Sequence, residues 1–81
     1  KIKDFLLPKI NLKNMITQED LLAKYDKPEA GMFLLDVRTA VEFSFNHIPG
    51  STNITIRELE SRLNEIPKDR HIITICSFKS L

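Results

Sequence analysis

Cys76 is the single cysteine of the chain, and it stands where the apolar run Ile72-Ile73-Thr74-Ile75 gives way to the polar stretch Ser77-Phe78-Lys79-Ser80. That is where a buried strand would hand a thiol to a loop. In open α/β sheets ligands bind in the crevice beyond the carboxyl ends of the strands, so a nucleophile there meets its substrate while its backbone stays anchored. A free thiol has a pKa of about 8.5 and is mostly protonated at neutral pH, so it needs surroundings that favour the anion. Amides of the residues directly after Cys76, folded back toward the sulfur, would form such a nest. A helix following the loop would add its dipole, and Lys79 would add a cation that favours thiolate and draws anions. The bland alternative is a small buried hydrophobe at a strand end, a common fate of free cysteine.

Other side chains offer less. Asp36 and Arg38 fall near the end of a second apolar run and can line the mouth of the same crevice. Their spacing also suits a structural role, with Arg38 pairing four residues on with Glu42 at a helix start and Asp36 accepting backbone hydrogen bonds. His47 precedes a Pro-Gly turn with no second histidine or cysteine beside it, which suits a structural hydrogen bond better than a general base. His71 lies one residue before an apolar strand and is expected to face solvent. One cysteine excludes an intramolecular disulfide and any zinc site built from cysteines alone, and no metal or organic cofactor is expected.

These residues need elements to position them. Thr17 can cap a helix, with Asp20 answering three residues on and Ile16 packing on Leu21; the helix runs to about Tyr25 and stops at the breakers Lys27-Pro28 and Ala30-Gly31. Met32-Phe33-Leu34-Leu35-Asp36-Val37 is apolar without alternation, the pattern of a strand covered on both faces of a parallel sheet. Thr39 and Glu42 spell a capping box that opens a short helix to about Phe45, with Phe43 facing inward. His47-Ile48-Pro49-Gly50 is a turn, and Thr52-Asn53-Ile54 a brief strand. A further box at Thr55 and Glu58 starts a helix carrying Ile56, Leu59, Leu63 and Ile66 on one face. Pro67 closes it, and Lys68-Asp69-Arg70 turns into the strand from Ile72 to Cys76. Strands alternating with helices argue for an α/β fold, a central parallel sheet flanked by helices.

With 81 residues, 42% of them hydrophobic, the chain can build one core. Residues 1–14, mixed basic and apolar around Pro8, read as a lead-in or linker, and the domain occupies 15–81. Twelve Lys plus Arg against 11 Asp plus Glu give a net charge of +1 with no basic block, so neither nucleic acid nor a membrane surface is an expected partner. No apolar stretch approaches the roughly 20 residues of a membrane span, no secretory signal is visible, and a cytoplasmic setting fits the lone thiol. Because residue 1 is Lys rather than Met, the chain reads as a piece of something longer, and the lead-in points to a fused neighbouring domain.

Leu35-Asp36-Val37-Arg38, Glu42-Phe43 and His47-Ile48-Pro49-Gly50-Ser51-Thr52-Asn53-Ile54 follow one another here in the order and spacing of the rhodanese-homology family. Glu58-Leu59, Ile66-Pro67-Lys68-Asp69 and the apolar strand into Cys76 extend the resemblance over roughly residues 15 to 76. It implies a rhodanese-like α/β domain, truncated before the family's final helix and strand, which would leave the Cys76 strand short of a neighbour. It further implies a sulfurtransferase or persulfide carrier of the thiosulfate sulfurtransferase type, in which Cys76 takes a sulfane sulfur and passes it on. Ser77, Phe78, Lys79, Ser80 and Arg38 would bind the substrate, a small sulfur-containing anion or a protein persulfide or thiol. The loop differs from the family's usual one, with Lys79 where glycine is customary and Leu81 where arginine often stands. That difference favours the rival reading, a catalytically silent module that binds or regulates a partner. Phosphatase or arsenate reductase chemistry, known from relatives with a longer loop, would call for histidine before the cysteine and a loop arginine, where this chain has Ile75 and Leu81.

Overall fold

The run that begins at Met32 forms strand β1 (Met32–Asp36), the centre of a three-stranded parallel sheet in a computed structural model that describes residues 15–25 and 31–77. Strand β2 (Thr52–Asn53) pairs on one side, setting Asp36 opposite Asn53. Strand β3 (His71–Ile75) pairs on the other, in register from Met32 opposite His71 to Asp36 opposite Ile75. Successive side chains of β1 point to opposite faces, and both faces are covered. Leu34 joins Leu21, Ile48, Ile73 and Ile75 in one core cluster, while Leu35 joins Val37, Ile54, Leu59 and Ile66 in the other. This is why the strand reads as an unbroken apolar run.

Helix α1 (Gln18–Tyr25) begins as its sequence requires, with the Asp20 amide donating to Thr17 Oγ1 at 3.2 Å and Leu21 fully buried. The residue before the cap has a second task. The Ile16 amide donates to the Thr74 carbonyl and its carbonyl accepts from the Cys76 amide, both at 2.9 Å, so Ile16 bridges to Ile75 in parallel sense. The carboxyl end of the cysteine strand therefore gains one bridge on its outer side, while β3 remains the edge strand of the described sheet. The expected lead-in over residues 1–14 and the breaker Lys27-Pro28 lie outside the described residues.

Helix α2 (Ala40–Phe45) has the full capping box: Thr39 Oγ1 accepts from the Glu42 amide, and the Glu42 carboxylate accepts from the Thr39 amide. Its Phe43 does not enter the core. The ring is half-buried and stacks on His47 at 3.8 Å between centroids, while Phe45 is 91% exposed. The turn that follows is closed by the Ser51 amide on the Ile48 carbonyl, and it needs Gly50, whose φ of 88° costs a side chain dearly.

The expected α-helix after Thr55 is instead a turn followed by a 3₁₀ helix (Glu60–Glu65). The Glu58 carboxylate does reach back to the Thr55 amide, but the Glu58 amide bonds to the Thr55 carbonyl rather than its hydroxyl, which starts the chain on i to i+3 pairing. The tighter winding keeps Leu59 and Ile66 buried and carries Ile56 out of the core, to 49% exposure. Strand β3 starts one residue earlier and ends one earlier than its apolar run suggests, so Cys76 is the first residue beyond the strand.

Replacing Leu35, fully buried in the central strand, with alanine is expected to cost about 2–5 kcal/mol in urea unfolding. The same change at Phe45 should cost under about 0.5 kcal/mol, as at other exposed positions.

Candidate active site

The parallel register brings the carboxyl ends of all three strands to one edge of the sheet, and a cavity of about 530 Å³ opens there. Cys76 lines it from the end of β3, Val37 and Arg38 from the end of β1, Thr39, Ala40 and Glu42 from the start of α2, and Thr55, Ile56 and Arg57 from the segment after β2. Cys76 itself is 3% exposed. Its main chain is held from two directions, since the Ile75 carbonyl accepts from the Val37 amide at 3.0 Å and the Cys76 amide donates to Ile16.

Beside it lies a buried ion pair. Asp36 ends β1 with no exposed surface, and Arg38 Nε donates to both of its carboxylate oxygens at 2.9 and 3.0 Å, with Nη2 adding a bond to Oδ2 at 2.9 Å. The Arg38 amide donates to Oδ1 at 3.0 Å. A guanidinium two residues after a carboxylate can fold back in this way because the strand has ended and Arg38 sits in a bend. The remaining reach of Arg38 goes to the Asn46 carbonyl at 2.7 Å, tying the end of α2 to the sheet. Asn53 completes the frame by donating to the Asp36 and Arg38 carbonyls at 2.9 and 3.0 Å. The expected pairing of Arg38 with Glu42 thus gives way to Asp36, the stronger partner because the pair is bidentate and shielded from water. Hydrogen bonding to Asp36 outweighs desolvation and raises the Arg38 pKa further, keeping it cationic.

Glu42 serves the loop instead. Its Oε1 closes the capping box with Thr39, and its Oε2 accepts from Ser77 Oγ at 2.7 Å, so α2 grips the first residue after the cysteine. Those hydrogen bonds, Ser77 first, pull the Glu42 pKa below its ordinary value. Sequence reasoning missed this contact; the signal was the capping box itself, which spends only one carboxylate oxygen and leaves the other to reach across. His47 lies apart from the cavity with Nδ1 donating to the Phe43 carbonyl at 2.8 Å, and His71 is exposed. Phe78, Lys79 and Ser80 fall outside the described residues. Among the described residues no three His, Cys, Asp or Glu side chains are grouped to hold a metal, and no helix is long and apolar enough to cross a membrane.

A thiol, a tied-down loop start and a cavity at the carboxyl edge of a parallel sheet are the setting that the motifs imply, and the sequence model of the rhodanese-like domain matches residues 17–80. The chain belongs to the rhodanese-like domain family. Over 64 residues it is 41% identical to an HTH-type transcriptional regulator of Mycobacterium tuberculosis, covering 79% of this chain and 27% of that one. It is 38% identical over 61 residues to a putative sulfur carrier protein of Bacillus subtilis, YrkF, covering 75% of this chain and 32% of the carrier. With a sulfurtransferase of Allochromatium vinosum it shares 32% identity over 63 residues, 78% of this chain and 58% of the enzyme. This rhodanese-like chain therefore spans less than two thirds of each of these relatives.

Removing one partner of the buried pair leaves the other uncompensated, so Arg38→Ala is expected to lose about 3–5 kcal/mol in chemical unfolding. Glu42 should titrate below its ordinary value in a carboxyl NMR titration, and Ser77→Ala should move it upward. Because the folded value is the lower one, the contact stabilises the fold above the unfolded glutamate pKa and is lost as pH falls through the folded value.

Proposed function

We propose that this domain moves sulfane sulfur through a persulfide on Cys76, with thiosulfate or a similar donor and a thiol as acceptor. The thiolate attacks the outer sulfur of thiosulfate; an Sγ–S bond forms, the donor's S–S bond breaks, and sulfite leaves with the electron pair. An acceptor thiolate then attacks the outer sulfur of the protonated persulfide, and Cys76 departs as thiolate. No net oxidant or reductant is consumed. Family membership and the names of two relatives, a sulfur carrier and a sulfurtransferase, support the reading. The observation that carries it is the position of Cys76, buried at the strand end with its amide fixed to Ile16, yet lining the cavity.

In this scheme Ser77, Phe78, Lys79 and Ser80 bind the sulfur donor, and Ser77, gripped by Glu42, fixes where that stretch starts. Arg38 forms the cavity wall, its charge engaged by Asp36. The domain works in a reducing compartment such as the cytoplasm, and its partners are a small sulfur-containing anion or a protein thiol. The 41% identity to a transcriptional regulator favours a second reading, in which the same thiol and cavity sense rather than turn over.

Incubating the full-length protein with thiosulfate should add one sulfur to Cys76, seen by intact mass spectrometry and removed by dithiothreitol. Cys76→Ser should show none. A folded wild-type protein that gains no sulfur overturns the transfer reading; a persulfide that forms but is not passed to thiols or cyanide supports the sensor.

A further inference from the structure

Two arginines line the cavity, and their circumstances differ. Arg38 is bound on all sides, by Asp36 and by the Asn46 carbonyl. Arg57 is exposed and makes no hydrogen bond or ion pair among the described residues. Glu58 and Glu42, the first next to it in the chain and the second on the same cavity, are held by other groups. Arg62 takes Glu65 through two bonds at 2.8 and 2.9 Å and adds a longer contact to Glu58, whose carboxylate also accepts from Thr55. Glu42, the carboxylate that lines the cavity, is held by Thr39 and Ser77. The segment carrying Arg57 is itself anchored, because Ile54 is fully buried and its amide donates to the Asp36 carbonyl at 3.0 Å. A cation with an anchored base, no partner among the described residues and a place on the wall shared with Cys76 has a bound anion as its natural counterpart.

We infer that Arg57 is the specificity-determining residue of this cavity: its guanidinium binds the anionic head group, sulfonate or carboxylate, of the small sulfur compound whose reacting atom meets Cys76. The inference rests on the sulfur-transfer reading for the identity of that compound, but not for the electrostatic preference itself. A guanidinium offers paired N–H donors matched to two oxygens of such a group. Glu42 lines the same cavity, and Arg38 is already engaged by Asp36, so Arg57 is the lining cation left for an incoming anion among the described residues.

The test uses two alkylating reagents of nearly equal size, iodoacetate and iodoacetamide, on Cys76 in the full-length protein. The ratio of their rates reports how strongly the cavity favours an anion, and any general change in thiol reactivity cancels. Arg57→Gln should lower the iodoacetate-to-iodoacetamide ratio about three- to tenfold, the effect of one partly solvated charge pair. Arg57→Lys should retain most of it, and Lys24→Gln, which removes an equal charge far from the cavity, should leave it unchanged. An unchanged ratio in Arg57→Gln, or an equal fall in Lys24→Gln, overturns the inference. With thiosulfate as donor, Arg57→Gln should raise KM and leave kcat nearly constant. A protein that takes no sulfur from thiosulfate but still loses its anion preference in Arg57→Gln refutes sulfur transfer and upholds the role of Arg57.

Discussion

The pairing of Asp36 with Arg38 is the interaction on which the site depends. A carboxylate with no exposed surface at the end of the central strand is tolerable only because a guanidinium and a backbone amide meet it. The same guanidinium reaches the Asn46 carbonyl, and Asn53 reaches the carbonyls of Asp36 and Arg38. Two short polar side chains and one long one thereby fix the chain's exit from β1, the far end of α2 and the partner strand β2. Such a frame adds less net stability than a well-packed apolar one of the same volume. What it provides is direction, because the bend at Arg38 sets where the cavity begins.

The sheet supplies the other half of the construction. Parallel pairing of β1 with β3 in register puts Asp36 opposite Ile75, so the residues that follow each, Val37 and Cys76, leave the sheet at the same level. The thiol and the polar frame arrive side by side at one edge of the sheet. Glu42 then links the helix that the frame supports to the loop that the thiol opens.

Much of this was legible in the residues. Capping boxes report local hydrogen bonds, so Thr39 with Glu42 gave away the start of α2, and the unbroken run from Met32 gave away a strand covered on both sides. Gly50 between Pro49 and Ser51 marked a turn that needs a positive φ. What could not be read was nonlocal or a matter of competition. Arg38 has Asp36 two residues before it and Glu42 four after, and spacing favours the helical partner; burial decides for the other. The segment from Thr55 spells a capping box as clearly as Thr39 does, yet the Glu58 amide chose the Thr55 carbonyl over its hydroxyl, and Ile56 left the core. Ile16 looks like a helix lead-in, and its bonds to Thr74 and Cys76 are with residues at the opposite end of the described chain.

Those bonds of Ile16 also govern the order in which the domain can be assembled. Strand β3 is the last of the described strands in the chain, and its carboxyl end lies between β1 and Ile16. As the polypeptide leaves the ribosome, β1 can find β2, but the slot beside it stays open until β3 emerges and slides in. The cysteine arrives with the last of the described strands, so a nascent chain that has not yet released β3 carries no thiol site.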